Sequence, residues 1–90
     1  MNYDKYLPIG TVVLLKNATK RLMIVGFCVK GDTDDKIYDY VGCLYPEGLL
    51  SNDQNCLFNH SQIDKIFFLG FVSEEEKKFK KQLNSLIGSN

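Results

Sequence analysis

Apolar and polar positions along this chain follow two periods, a short one over most of its length and a helical one near its end. Thr11 to Lys16 is an apolar run that is β-branched at Thr11, Val12 and Val13, and Arg21 to Val29 is a second run rich in β-formers. The polar stretch Lys16-Asn17-Ala18-Thr19-Lys20 between them predicts a β-hairpin closed by an asparagine-containing loop. Pro8-Ile9-Gly10, just before the first run, suits a turn, because proline fixes φ and glycine relieves strain.

Lys30-Gly31-Asp32-Thr33-Asp34-Asp35 reads as a solvated connection whose short side chains bond their own backbone. From Lys36 to Tyr45 the pattern alternates. Ile37, Asp39, Val41, Cys43 and Tyr45 fall on one face, and Tyr38, Tyr40, Gly42 and Leu44 on the other. Neither face is wholly polar, which predicts a central strand with core on one side and partly exposed aromatic surface on the other. Tyr45-Pro46-Glu47-Gly48 predicts a chain reversal. Asn52 to Gln54 is polar, Cys56-Leu57-Phe58 is a short apolar segment, and Asn59-His60-Ser61-Gln62 suits the cap of a single helical turn running to Asp64. Ile66 to Leu69 then reads as a last strand ended by Gly70.

The period lengthens after Ser73. Ser73 and Glu76 have the spacing of a capping box, in which each side chain satisfies a backbone N–H of the other. Glu74, Glu75 and Glu76 precede Lys77, Lys78, Lys80 and Lys81, an order that suits the helix dipole and allows the pairs Glu74–Lys78 and Glu76–Lys80. Phe79, Leu83, Leu86 and Ile87 recur at helical spacing, and Gly88 is placed to end the helix. The whole predicts a single α+β domain over residues 1–90: a small antiparallel, strongly curved sheet or half-barrel of four or five strands within residues 11–71, with one C-terminal amphipathic helix at about 73–87.

Composition narrows the functions open to such a domain. At 90 residues, 44% hydrophobic and 24% charged, the chain is globular and long enough for one core. Eleven basic and eleven acidic side chains cancel, so the net field steers it neither to nucleic acid nor to an anionic membrane surface. The longest apolar runs, Leu22–Phe27 and Ile66–Leu69, are far shorter than the ~20 residues that span a bilayer. MNYDKYLPIG has neither the basic start nor the apolar run of a signal peptide, and an odd count of three cysteines suits a reducing compartment, so the expectation is the cytoplasm.

No constellation for catalysis or metal binding emerges. Cys28, Cys43 and Cys56 lie fifteen and thirteen residues apart, without the short paired spacings of a zinc site, and read better as small buried hydrophobes. A calcium loop beginning at Asp32 would need glycine sixth and a bidentate acid twelfth, where the chain has Ile37 and Cys43. Cys56, His60 and Asp64 could be drawn as a nucleophile, base and orienting acid, but spacing alone does not assemble them, and Leu57 and Phe58 do not suggest an electropositive, accessible thiol. His60 reads instead as a surface or capping histidine. The glycines are single and scattered, so no phosphate-cradling loop can be built. The expectation is a protein that is not an enzyme and has no cofactor and no metal. Tyr38, Tyr40 and Tyr45, with Phe58, are large rings that either complete the core or form an interface with another protein.

Several segments carry a family resemblance: Tyr6-Leu7-Pro8-Ile9-Gly10-Thr11-Val12-Val13-Leu14-Leu15-Lys16, then Leu22 to Phe27, then Tyr38-Asp39-Tyr40-Val41-Gly42-Cys43-Leu44-Tyr45-Pro46-Glu47-Gly48, then Phe58-Asn59-His60 and Ile63 to Phe71. From Tyr6 to about Leu83 the chain closely resembles a family of small Firmicutes proteins labelled a domain of unknown function. The resemblance implies genes beside LXG toxins and other type VII (Esx-type) secretion components, and a cytoplasmic adaptor or targeting chaperone that binds a toxin before export. An immunity-type or regulatory protein that binds a toxin or signalling protein to inhibit it is the alternative, with a small enzyme using Cys56 and His60 behind it. No catalytic residues carry over. Two segments near turns, where side chains can reach a partner, are the expected recognition surface: Tyr38, Asp39, Tyr40, Tyr45, Pro46, Glu47 and Gly48 in one, and Phe58, Asn59, His60 and Ile63 in the other.

Overall fold

A computed structural model describes residues 6–30, 36–50 and 55–88, with the side chains of 28–30, 84 and 86–88 left aside. Five strands, β1 (Val12–Leu15), β2 (Leu22–Lys30), β3 (Ile37–Leu44), β4 (Cys56–Phe58) and β5 (Ile63–Phe68), precede one helix, α1 (Glu74–Gly88). They form one antiparallel sheet in the order β4-β3-β2-β1-β5, which does not close into a barrel. The connection expected at Gly31–Asp35, the polar Asn52–Gln54 stretch, the Cys28 side chain and the Leu86–Ile87 part of the helical stripe lie outside the described residues.

The hairpin between β1 and β2 closes as its loop chemistry suggests. Asn17 adopts a left-handed φ of 64°, which its short polar side chain tolerates better than most, and the Ala18 N–H donates to the Leu15 carbonyl at 3.1 Å. β3 lies between β2 and β4, and its alternation holds, with Tyr40 and Gly42 buried on one face and Cys43 on the other, but the tyrosine face, expected to be partly exposed, is the one the core covers.

A bulge shapes the core. Ile24 pairs with Gly42 and Gly26 with Val41, so Val25 is an extra residue in β2. Ile24 and Phe27, three positions apart, therefore share the face of their partners Gly42 and Tyr40. On that face Tyr6, Val13, Leu22, Ile24, Tyr40, Phe58 and Leu83 form the core. Tyr6 meets Phe27 and Tyr40 edge-on, at centroid distances of 6.0 and 6.1 Å, the geometry the ring quadrupoles favour.

The helix caps this face through Leu83, which is buried, and Phe79, whose ring lies 5.8 Å from that of Phe27. Burying a leucine is worth about 1.5–3 kcal/mol. The exposed Lys77–Glu74 pair at 3.8 Å lies within the helix, is worth well under about 1 kcal/mol, and adds nothing to its docking.

Three details depart from expectation. The turn after Asn59 is a 3-10 turn over His60–Gln62, and β5 starts at Ile63 instead of Ile66. Ile63 pairs with Leu15 and Lys16 N–H donates to the Gln62 carbonyl, while Asp64 and Lys65, both exposed on this edge strand, hide the strand from an apolar count. The capping box is half made. Ser73 Oγ accepts the Glu76 N–H at 3.1 Å, but the Glu76 carboxylate lies 3.2 Å from Lys80 Nζ and does not return to Ser73. Glu74 pairs with Lys77, one position short of the expected Lys78.

Candidate partner-binding surface

The residues expected to recognise a partner divide into an interior group and a surface group. Tyr40 and Phe58 are fully buried, with ring centroids 5.3 Å apart, and belong to the core. Tyr40 Oη accepts the Leu7 N–H at 2.9 Å and lies 2.8 Å from His60 Nδ1. His60 is thus half-buried against Tyr40, not a surface histidine. The Asp39 carboxylate accepts the His60 N–H at 2.9 Å, and the Asp39 N–H donates to Asn59 Oδ1 at 3.0 Å. Gln62 Oε1 completes the turn by accepting the Asn59 N–H at 2.8 Å. Asp39, Tyr40, Asn59 and His60 therefore brace the β3–β4 end of the sheet. Ile63 packs on the core, and Tyr38 is half-buried opposite Val29.

Among the described residues no hydrogen bond joins the Cys56 thiol to His60, whose Nδ1 is engaged by Tyr40. Cys43 is buried and Cys56 half-buried. Among the described residues no three His, Cys, Asp or Glu side chains converge as metal ligands, and no helix is long and apolar enough to cross a membrane.

The Tyr45–Gly48 turn is the surface group. Gly48 takes φ +78° and its N–H donates to the Leu44 carbonyl at 2.7 Å, which reverses the chain. Pro46 and Glu47 are exposed, and Glu47 is held by Lys20 Nζ at 2.7 Å. That hydrogen bond, helped by one from the backbone, lowers the Glu47 pKa below the ordinary carboxylate value. Tyr45 faces β5 across a hollow of about 280 Å³ lined by Val12, Arg21, Tyr45, Phe67 and Phe68.

This hollow is built by a second irregularity. Val12 pairs with Phe68 and Val13 with Ile66, so one step of β1 faces two of β5. A simple strand would send Phe67 and Phe68 to opposite faces, whereas both line the hollow here. The Arg21 guanidinium sits over the Phe67 ring, 4.5 Å from its centroid, in cation–π geometry. Beyond the hollow the apolar surface continues along the sheet edge: Ile66, Phe67, Phe68, Leu69, Phe71 and Val72 are all exposed, Phe68 to 62% and Phe71 to 82%. The expectation from sequence did not include these residues or Arg21. The signal available was the run Ile66-Phe67-Phe68-Leu69-Gly70-Phe71-Val72, more bulky apolar side chains in succession than one side of an edge strand can bury.

Fold and surface define a small α+β domain whose open sheet edge exposes bulky apolar side chains beside a single stacked arginine. The chain belongs to the family described as a domain of unknown function, DUF4176, whose model matches residues 6–79. No curated protein and no solved structure matches it.

Proposed function

We propose that this protein is a non-catalytic protein-binding module, acting as a cytoplasmic adaptor or targeting chaperone for a type VII-secreted LXG-type toxin. The observation that carries the binding role is the set of exposed apolar side chains at the end of the edge strand β5 (Ile66, Phe67 and Phe68) and just after it (Leu69, Phe71 and Val72), with Tyr45 across the hollow. Isolated apolar side chains on a surface need no explanation, but six exposed within seven residues, three of them phenylalanines, have the composition of an interface. An edge strand also presents unpaired backbone groups that a partner can meet. The family resemblance supports the kind of partner.

Co-expression with an LXG toxin encoded beside this protein, followed by size-exclusion chromatography, tests the reading. A stoichiometric complex should form with the wild type and be lost with Phe68→Ser and Phe71→Ser, while circular dichroism shows both variants folded. Complex formation indifferent to these two residues would remove the docking surface. Loss of export on deleting the gene marks an adaptor, and self-intoxication with export intact marks an immunity protein.

A further inference from the structure

We infer that the hollow between Tyr45 and β5 is an anchoring pocket for a carboxylate side chain set among apolar residues of the protein partner, with Arg21 as its counter-ion. The inference rests on the protein-binding reading above and names the chemistry that the docking face selects.

Among the described residues that line the hollow Arg21 alone is charged; Val12, Phe67, Phe68 and the ring of Tyr45 supply its apolar walls. The guanidinium is planar, and Phe67 takes one of its faces. Its N–H donors point outward in the plane of the group, so stacking leaves the forked edge open to a bidentate acceptor. Among the described residues no carboxylate lies within ion-pair distance of Arg21 to take that edge. The acid of the adjoining turn, Glu47, is already committed to Lys20.

A partner that covers Tyr45, Phe67 and Phe68 must also cover Arg21. A charge taken out of water without a counter-ion costs several kcal/mol, so a partner with only apolar side chains here would forfeit much of what the rings contribute. One that brings an acid converts the same burial into a charge-assisted pair at the centre of the contact, where arginine and aromatic residues carry most binding energy. At about 280 Å³ the space lies just under the usual range for small-ligand pockets, about 300–1,000 Å³, and suits one or two inserted side chains. A carboxylate fits better than a phosphate dianion, whose second charge the single guanidinium of the hollow would leave unmatched.

The test uses the intact protein and a display library of random 12-residue peptides, with the selected peptides resynthesised for titration. Enriched sequences should carry Asp or Glu flanked by aliphatic or aromatic residues. Replacing that acid by its amide, or making Arg21→Gln, should each weaken binding tenfold or more, and the two together should weaken it little further, because both remove the same contact. Arg21→Lys, which keeps the charge but loses the fork, should fall between wild type and Arg21→Gln, and circular dichroism should show every variant folded at the temperature of the titration. Peptides that lack an acid, or an Arg21→Gln loss equally large for the amide peptide, overturn the anchor. Displacement by inorganic phosphate at concentrations where acetate has no effect overturns it as well. Peptides that need Phe67 and Phe68 but not Arg21 overturn the anchor and leave the protein-binding reading standing. A library that yields nothing sensitive to Phe67 or Phe68 overturns both.

Discussion

Replacing Gly70 by alanine probes how the end of β5 is locked beneath the turn that leads into β1. Gly70 is buried, and a Cβ built on it would lie 2.1 Å from the Ile9 carbonyl oxygen, 2.9 Å from the Ile9 carbonyl carbon and 3.1 Å from the Thr11 nitrogen. Weak C–H···O contacts already sit at about 3.3–3.6 Å, so the two segments must part by about 1 Å. These are backbone atoms and no rotamer change relieves them. Separation also endangers the hydrogen bond from Gly70 N–H to Thr11 Oγ1, 3.0 Å long and buried. Overpacking of this kind costs about 1–3 kcal/mol, and a buried donor left without its acceptor about 1–3 kcal/mol more. Reduced freedom of the unfolded chain returns about 0.4–1 kcal/mol. The net expectation is a loss of about 3 kcal/mol, which for a domain of this size lowers Tm by about 12–24 °C. Gly48→Ala is the control: its Cβ would meet nothing within 4 Å, and only the left-handed φ of +78° opposes it, at about 1–2 kcal/mol. The chain has no tryptophan, so urea unfolding followed by circular dichroism is the assay. A Gly70→Ala unfolding free energy within about 1 kcal/mol of wild type, or no larger a loss than for Gly48→Ala, would refute the steric account.

Three further outcomes follow from the same geometry. Tyr40→Phe keeps the ring but strips the acceptor from the Leu7 N–H and the partner from His60 Nδ1, and should cost about 1–3 kcal/mol in urea unfolding; a neutral substitution would mean that water replaces the hydroxyl. Carbon-detected NMR should find Glu47 titrating below the ordinary carboxylate value, with Lys20→Met raising it toward that value. Because the folded pKa is the depressed one, the pair's contribution is present above the unfolded pKa and fades as pH falls through the folded one. Under native conditions a maleimide should label Cys56 well before Cys43, and faster labelling of Cys43 would contradict its burial.

Much of the architecture is legible along the chain because local periods record it. Alternation from Ile37 to Leu44 sorts Tyr40 from Cys43 whatever lies above them, and Asn17 marks a hairpin through its own backbone preference. The helix declares itself through Ser73, the order of its charges and the spacing of Phe79 and Leu83. The Tyr45–Gly48 turn was also readable as exposed, since proline and glycine constrain the backbone directly.

What the period of a strand does not contain is which face is covered, which strand stands at the edge and where a pairing slips by one residue. Tyr40 and Phe58 have the composition of an interface, and only the approach of Tyr6 and the helix onto their face makes them core. Val25 and Phe67 look like ordinary strand residues, yet they are extra because of how β2 meets β3 and β1 meets β5. That second slip sets Phe67 and Phe68 side by side under Arg21, which is 46 residues away in sequence from Phe67 and reaches it only because β5 adds to the far side of the β1–β2 hairpin. Backbone propensity and side-chain alternation are local energies and can be read locally. Burial and register depend on the partner strand, and only the folded chain supplies it.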